Sequence, residues 1–191
     1  MTITLMRCTG GTVLLPDRSL SLIDRADGGN LIVNPPRAVW DRSELDAAEL
    51  VQWSFLVAAA GRAMIDVLPQ LDGGCINYWD AGNWALNDDA APQGRKTARE
   101  FRRVHLHLLG RSPAATSASS RWGEAPKFPD FRDRHAWAST HERLTPSECQ
   151  RIVARAVEIL TTKYGVSPDA IAAGSACRRC GYPTAGPCDE P

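Results

Sequence analysis

The chain carries no excess charge of either sign: 22 lysines and arginines balance 22 aspartates and glutamates. No global field therefore draws it to nucleic acid or to an anionic membrane, and any anion site must be local. No apolar run reads as a membrane span, and Met1-Thr2-Ile3-Thr4-Leu5-Met6-Arg7 lacks the charged-then-apolar layout of a signal peptide. There is no P-loop, no Gly-x-Ser-x-Gly elbow and no dinucleotide fingerprint. A cytoplasmic protein is the expectation, in which the six cysteines are thiols or metal ligands rather than disulfides. Histidine is scarce, with four in 191 residues, yet two of the four stand one residue apart.

Those two lie in Arg102-Arg103-Val104-His105-Leu106-His107-Leu108-Leu109-Gly110-Arg111. Side chains alternate faces along a strand, so Arg103, His105 and His107 are expected on one side and Val104, Leu106 and Leu108 in the core on the other. Imidazoles spaced this way suit a nucleophile with an acid/base partner, a pair of metal ligands, or a phosphate clamp with the arginine.

The front half reads as strand-rich. Thr12–Pro16, Leu20–Asp24 and Leu31–Asn34 predict a meander broken at Asp17-Arg18 and Asp27-Gly28-Gly29-Asn30, with Pro35-Pro36 as its stop. Leu50, Trp53, Val57, Ala60 and Met64 recur at helical spacing behind an Asp46 and Glu49 capping pair, predicting a helix from Asp46 to Ile65 that ends before Pro69. Cys75–Trp79 is the fourth strand and the histidine segment the fifth. The polar stretch from Asp80 to Glu100 is too long for a hairpin turn, which leaves a functional loop or a disordered insertion.

After Arg111, the Ser112–Ser120 run is low in complexity and reads as mobile, and Arg121–Pro129 as an extended surface segment. Thr145-Pro146-Ser147-Glu148 opens a helix with the apolar stripe Cys149, Ile152, Val153, Ala156, Ile159 and Leu160, so Cys149 is expected to be buried and inert. Two regions result: residues 1–111, and an extension over 112–191 packed on them. In the tail, Cys177, Cys180 and Cys188 have spacing suited to three ligands of a structural zinc, with Cys8, a histidine or another subunit as the fourth. The alternative is a frayed terminus with surface thiols.

The order of meander, proline stop, helix, Cys75-Ile76-Asn77 strand and Val104-His105-Leu106-His107-Leu108-Leu109-Gly110 strand resembles the histidine triad family of nucleotide hydrolases and transferases, from Gly10 to Arg111. The family pattern places three histidines alternately with apolar residues. Here Arg103 takes the first position, His105 the middle and His107 the last. The resemblance implies an α+β fold in which about five antiparallel strands are covered by a helix, with a C-terminal helix and Cys-rich tail added. It also implies a homodimer and hydrolysis or transfer at the α-phosphate of a dinucleoside polyphosphate or nucleoside phosphoramidate, while the balanced charge leads to the expectation of no nucleic acid or membrane partner.

By the same resemblance His105 is the nucleophile that forms a nucleotidyl-imidazole, His107 orients phosphate, Asn77 supports the site and Asp24 holds ribose hydroxyls. Arg103 brings a fixed cation where the family has a titratable group. Phosphate charge could be met by Arg103, by His107 and by the segment around Gly110, Arg111 and Ser112, which makes Arg111 a nucleotide-binding candidate. The chemistry requires no cofactor. Two other classes stay open: nucleotide binding without turnover, because Arg103 displaces a histidine, and a metal enzyme using His105 and His107 with His135, His141 or Glu124.

Overall fold

A computed structural model describes residues 2–173, 175–177 and 180–185. Threonines alternating with Ile3 and Leu5 make the first segment a strand, β1 (Ile3–Cys8), which turns back at Gly10 and Gly11 onto β2 (Gly11–Leu15). β3 (Asn30–Asn34), β4 (Cys75–Ala81), β5 (His105–Arg111) and the short β6 (Ala172–Ala173) complete an antiparallel sheet of six strands in the order β4-β5-β3-β2-β1-β6. The α+β class is as expected. The sheet gains β1, a strand that the sequence analysis did not predict.

Leu20–Asp24 does not form a strand. The Asp17 carboxylate accepts from Ser19 N and caps a 3-10 turn over Arg18–Leu20, and Asp24 caps another over Arg25–Asp27. Between them the Asn30 side-chain oxygen takes the amides of Leu22 (3.1 Å) and Ile23 (3.5 Å). Short polar side chains that satisfy local amides compete with a strand ladder for the same donors.

Helix α1 (Ala47–Val67) starts at Asp46 with a reciprocal capping box to Glu49. It is as long and apolar as a spanning segment, against the expectation that no run would be. That character is used in the core, where Trp53, Leu56, Ala59, Ala60, Ala63 and Met64 are buried. After the single turn α2 (Ala98–Phe101) and the short α3 (Arg134–Ser139), helix α4 (Pro146–Thr162) opens with the Thr145 and Glu148 capping box read from the sequence.

α1 and α4 pack on each other over one sheet face. There Leu5, Val13, Leu31, Val33, Val104, Leu106 and Leu108 join Cys149, Ile152, Ala156 and Leu160 in one core. Burial pushes the Cys149 thiol up to about 12, which makes it the inert core residue expected. Arg25 Nε reaches Glu148 Oε2 at 2.8 Å, tying the front half to the start of α4. The extension thus shares the core of residues 1–111 and adds β6 to their sheet.

The Ser112–Ser120 run is pinned, not mobile. Asp27, 2 % exposed, accepts hydrogen bonds from Thr116 N (2.9 Å), Ser117 N (3.2 Å) and Ser120 Oγ (2.5 Å), and a buried carboxylate with this many donors anchors the loop around it. Just below it the chain crosses itself at two glycines. A Cβ on Gly110 would lie 2.3 Å from the Gly28 carbonyl oxygen, and Gly28 sits at φ 119°, open to glycine. Gly110→Ala is expected to lower stability by roughly 1–3 kcal/mol. Urea unfolding checks this, and an unchanged midpoint would mean that the crossing yields without strain.

Candidate active site

The second sheet face is covered more thinly, by Leu22, Ile23, Trp79, Trp84 and Phe128 around Leu109. Beside this cluster a cavity of about 510 Å³ opens over the histidines. Strand register builds its floor: Trp79 pairs with His107, Ala81 with His105, and Ile32 of β3 with His107 from the other side. The period of two therefore delivers His105 and His107 to this face while Val104, Leu106 and Leu108 enter the core, as the sequence predicted.

The Asp80–Glu100 stretch is an ordered wall. Its 3-10 turn at Asn83–Leu86 brings Asn83 and Trp84 to the cavity, and the end of α2 brings Phe101, with Arg103 following. Leu20 and Asn34 complete the lining. Cis Ala91-Pro92 lies within the stretch.

His105 Nδ1 lies 2.9 Å from the carbonyl oxygen of Arg103. A carbonyl can only accept, so Nδ1 carries the proton and the lone pair resides on Nε2. Burial lowers the His105 pKa below the ordinary imidazole range, against the opposing pull of that carbonyl. The His107 ring centroid is 5.0 Å from that of His105 and 5.4 Å from that of Trp79. It is 8 % exposed, and burial, with a smaller contribution from His105, drives its pKa down to about 3. His107 Nδ1 is buried with no hydrogen-bond partner among the described residues. At neutral pH the cavity holds two neutral imidazoles and one fixed cation, Arg103, which is exposed at the rim and donates from Nη1 to the carbonyls of Arg102 (2.6 Å) and Arg99 (3.4 Å).

The remaining candidates do not join them. The Asp24 carboxylate, expected at a ribose, accepts from the amides of Ala26 and Glu142, both at 2.7 Å. Arg111 is buried, and its Nη2 donates to the carbonyls of Arg121 (2.7 Å) and Glu124 (2.8 Å), so it braces the following segment and not a phosphate. Asn77 shares the histidine face one pair further along, opposite Leu109, and borders a separate hollow beneath Pro126 and Phe128. Phe128 stacks on Trp79 with centroids 4.3 Å apart.

Sequence reasoning missed the walls. Trp79 was within reach of it, since it alternates onto the same face as Asn77. Trp84 stands out in the sequence only as a tryptophan that a flexible loop rarely keeps exposed, and Phe101 carries no local signal, because their place depends on how the insertion folds.

His135 and His141 turn their Nδ1 atoms to the carbonyls of Ser19 (3.2 Å) and Ser21 (3.1 Å). Among the described residues no three His, Cys, Asp or Glu side chains gather for a metal. Cys177 and Cys180 flank the turn of a hairpin, β7 (Ser175–Ala176) and β8 (Pro183–Thr184), where Gly181 N donates to Cys177 O and Cys177 N to Tyr182 O, both at 2.8 Å. Cys188, the third expected zinc ligand, lies outside the described residues. Cys8 Sγ accepts from Gly10 N (3.3 Å) at one end of β1, whereas the hairpin meets that strand at Thr4. No protein-family model, curated protein or solved structure matches the chain.

Proposed function

We propose that the chain is a nucleotide hydrolase or nucleotidyl transferase of the histidine triad type, with His105 attacking the α-phosphorus of a nucleotide conjugate. The observation that carries this reading is the 2.9 Å contact of His105 Nδ1 with the Arg103 carbonyl. It fixes the tautomer that leaves Nε2 nucleophilic, and the same carbonyl stabilises the imidazolium that forms once Nε2 bonds to phosphorus. The cavity supports the reading by size and lining: Trp79, Trp84 and Phe101 offer faces for a nucleobase, and the polar end holds Arg103, His105 and His107 for phosphate. Arg103 meets the charge of the non-bridging oxygens, and neutral His107 packs beside them as a positioning group. The scheme assigns no step to a cofactor. Paired into a homodimer, the chain would carry one such cavity per subunit.

The test is a trapped intermediate. The protein, mixed with nucleoside polyphosphates, phosphoramidates and sugar nucleotides and denatured in base, is expected to gain the mass of one nucleotidyl group, a nucleoside monophosphate less water, on the peptide bearing His105. Turnover with the adduct on another residue, or with none, would refute the covalent scheme. Tight binding without turnover would favour a nucleotide-binding protein, the second reading, which the tethering of Arg103 Nη1 to two backbone carbonyls supports.

A further inference from the structure

We propose that Gly82 and Arg102 are positioning residues that decide which nitrogen of His105 faces the cavity, by holding the peptide group between Arg103 and Val104 in a single orientation. The effect on rate rests on the reading of His105 as nucleophile, whereas the effect on its ring proton rests on backbone geometry alone.

A trans peptide is planar, so the carbonyl of Arg103 and the amide of Val104 point to opposite sides of one rigid unit. The amide side is fixed in the core: Val104 N donates to the carbonyl of Val39 at 2.9 Å, and both residues are buried. The carbonyl side therefore faces away from Val39, where it meets His105 Nδ1 at 2.9 Å. While the plane keeps this orientation the proton stays on Nδ1 and the lone pair on Nε2. A plane that rotated would take the acceptor away from Nδ1 and free the proton to move to Nε2, which would leave that nitrogen without a lone pair to attack with.

Two ties hold the plane from the cavity side. Gly82 follows the Ala81 and His105 pair at the end of β4 and starts the 3-10 turn that carries Asn83 and Trp84 into the cavity wall. A Cβ there would stand 2.8 Å from the Arg103 oxygen and 3.1 Å from Arg102 Cγ, so the wall reaches this carbonyl only because the residue has no side chain. Its φ of 129° is likewise open to glycine. Arg102, its side chain 15 % exposed, donates to the Trp40 carbonyl and reaches Asp80 Oδ1 and Asn83 Oδ1, both at 3.2 Å. Those partners bracket the two contacts on the plane: Trp40 follows Val39, and Asp80 and Asn83 stand on either side of Gly82. The start of the Asp80–Glu100 stretch thus sets the nucleophile as well as walling the cavity.

The experiment reads the ring proton directly. The full chain is labelled with ¹⁵N-histidine, and long-range proton–nitrogen spectra are taken at about pH 8, where both cavity imidazoles are neutral. The His105 signal, assigned by its loss in His105→Gln, is expected in the Nδ1–H form. Gly82→Ala should lower the ratio of Nδ1–H to Nε2–H by about tenfold, as the loss of one hydrogen bond would. It should lower kcat on diadenosine polyphosphate in step, with KM within about threefold of wild type. Gly94→Ala is the control, because Gly94 lies in the same stretch at φ 107° with nothing within 4 Å of a Cβ. It carries the backbone strain without the collision and should leave the ratio unchanged. Arg102→Gln, which adds no collision, should lower the ratio by about threefold. An Nε2–H form in the wild type, an equal fall in Gly94→Ala, or an unchanged ratio in folded Gly82→Ala would overturn the proposal while leaving the His105 adduct to decide the nucleophile. Should Gly82→Ala not fold, an unchanged ratio in Arg102→Gln overturns it in the same way. A ratio that falls in Gly82→Ala, in a chain whose wild type forms no adduct and turns nothing over, would uphold the positioning and end the nucleophile reading.

Discussion

His105→Ala is expected to lose turnover by roughly 10⁴-fold or more and to keep nucleotide binding within about tenfold of wild type. The asymmetry follows from where the two functions sit. In the proposed mode, base contacts come from Trp79, Trp84 and Phe101, which hold their places through β4, the 3-10 turn at Asn83–Leu86 and α2. The proposed bond-forming lone pair is that of His105, the cavity imidazole whose Nδ1 meets a backbone carbonyl. His105 also stands at the first residue of β5, half-buried, so alanine there leaves the ladder and the core behind it in place. Steady-state kinetics and calorimetric binding on the same preparation separate the effects. Turnover surviving in a clean His105→Ala sample would end the covalent mechanism, and loss of binding along with rate would make His105 a ligand-holding residue instead.

The second large effect is acid sensitivity from His107. Its folded pKa is depressed to about 3 by burial, whereas the unfolded chain titrates at the ordinary value of 6.5. Above 6.5 neither state binds the proton, and the full stability is present. As pH falls below 6.5 the unfolded chain takes up a proton that the folded chain refuses, so stability is lost progressively down to the folded pKa. One such proton gives a slope of about 1.4 kcal/mol per pH unit, or about 2 kcal/mol between pH 6.5 and 5. His105 is shifted in the same direction and adds to the background. The difference between wild type and His107→Gln in urea midpoint against pH isolates the His107 share: the variant should be the flatter of the two. Parallel curves would mean that His107 is protonated in the folded protein, and that its unpartnered Nδ1 finds a partner when it is.

What the sequence disclosed and what it withheld divide along a physical line. The His105 and His107 face follows from the two-residue period of a strand, and the starts of α1 and α4 from capping residues three apart, all of them signals that lie within one turn or one pleat. Asp24, ending Leu22-Ile23-Asp24, and Arg111, ending the histidine motif, were legible as charged residues at places the family pattern marks. Their roles were not, because each is decided by backbone groups distant in the chain: Glu142 N for Asp24, the Arg121 and Glu124 carbonyls for Arg111. Asp27 looked like a turn residue and is instead the anchor of a serine run some 90 positions on. The two-residue strand β6 has no periodicity to detect, and it pairs with β1 only after α4 has carried the chain back across the sheet.

The shared core under α1 and α4 sets the unit in which this protein holds together. Residues 1–111 contain the histidine strand and both ends of the family resemblance, yet α1 buries its outward side against α4, and β1 borders β6. Cutting the chain after Arg111 would strip that side of α1 of cover and remove the loop on which buried Asp27 and Arg111 close. The boundary at Arg111 therefore marks where a sequence pattern ends and not where autonomous folding does. The cooperative unit that positions His105 runs through α4, and the segment bearing the motif cannot be treated as a portable cassette.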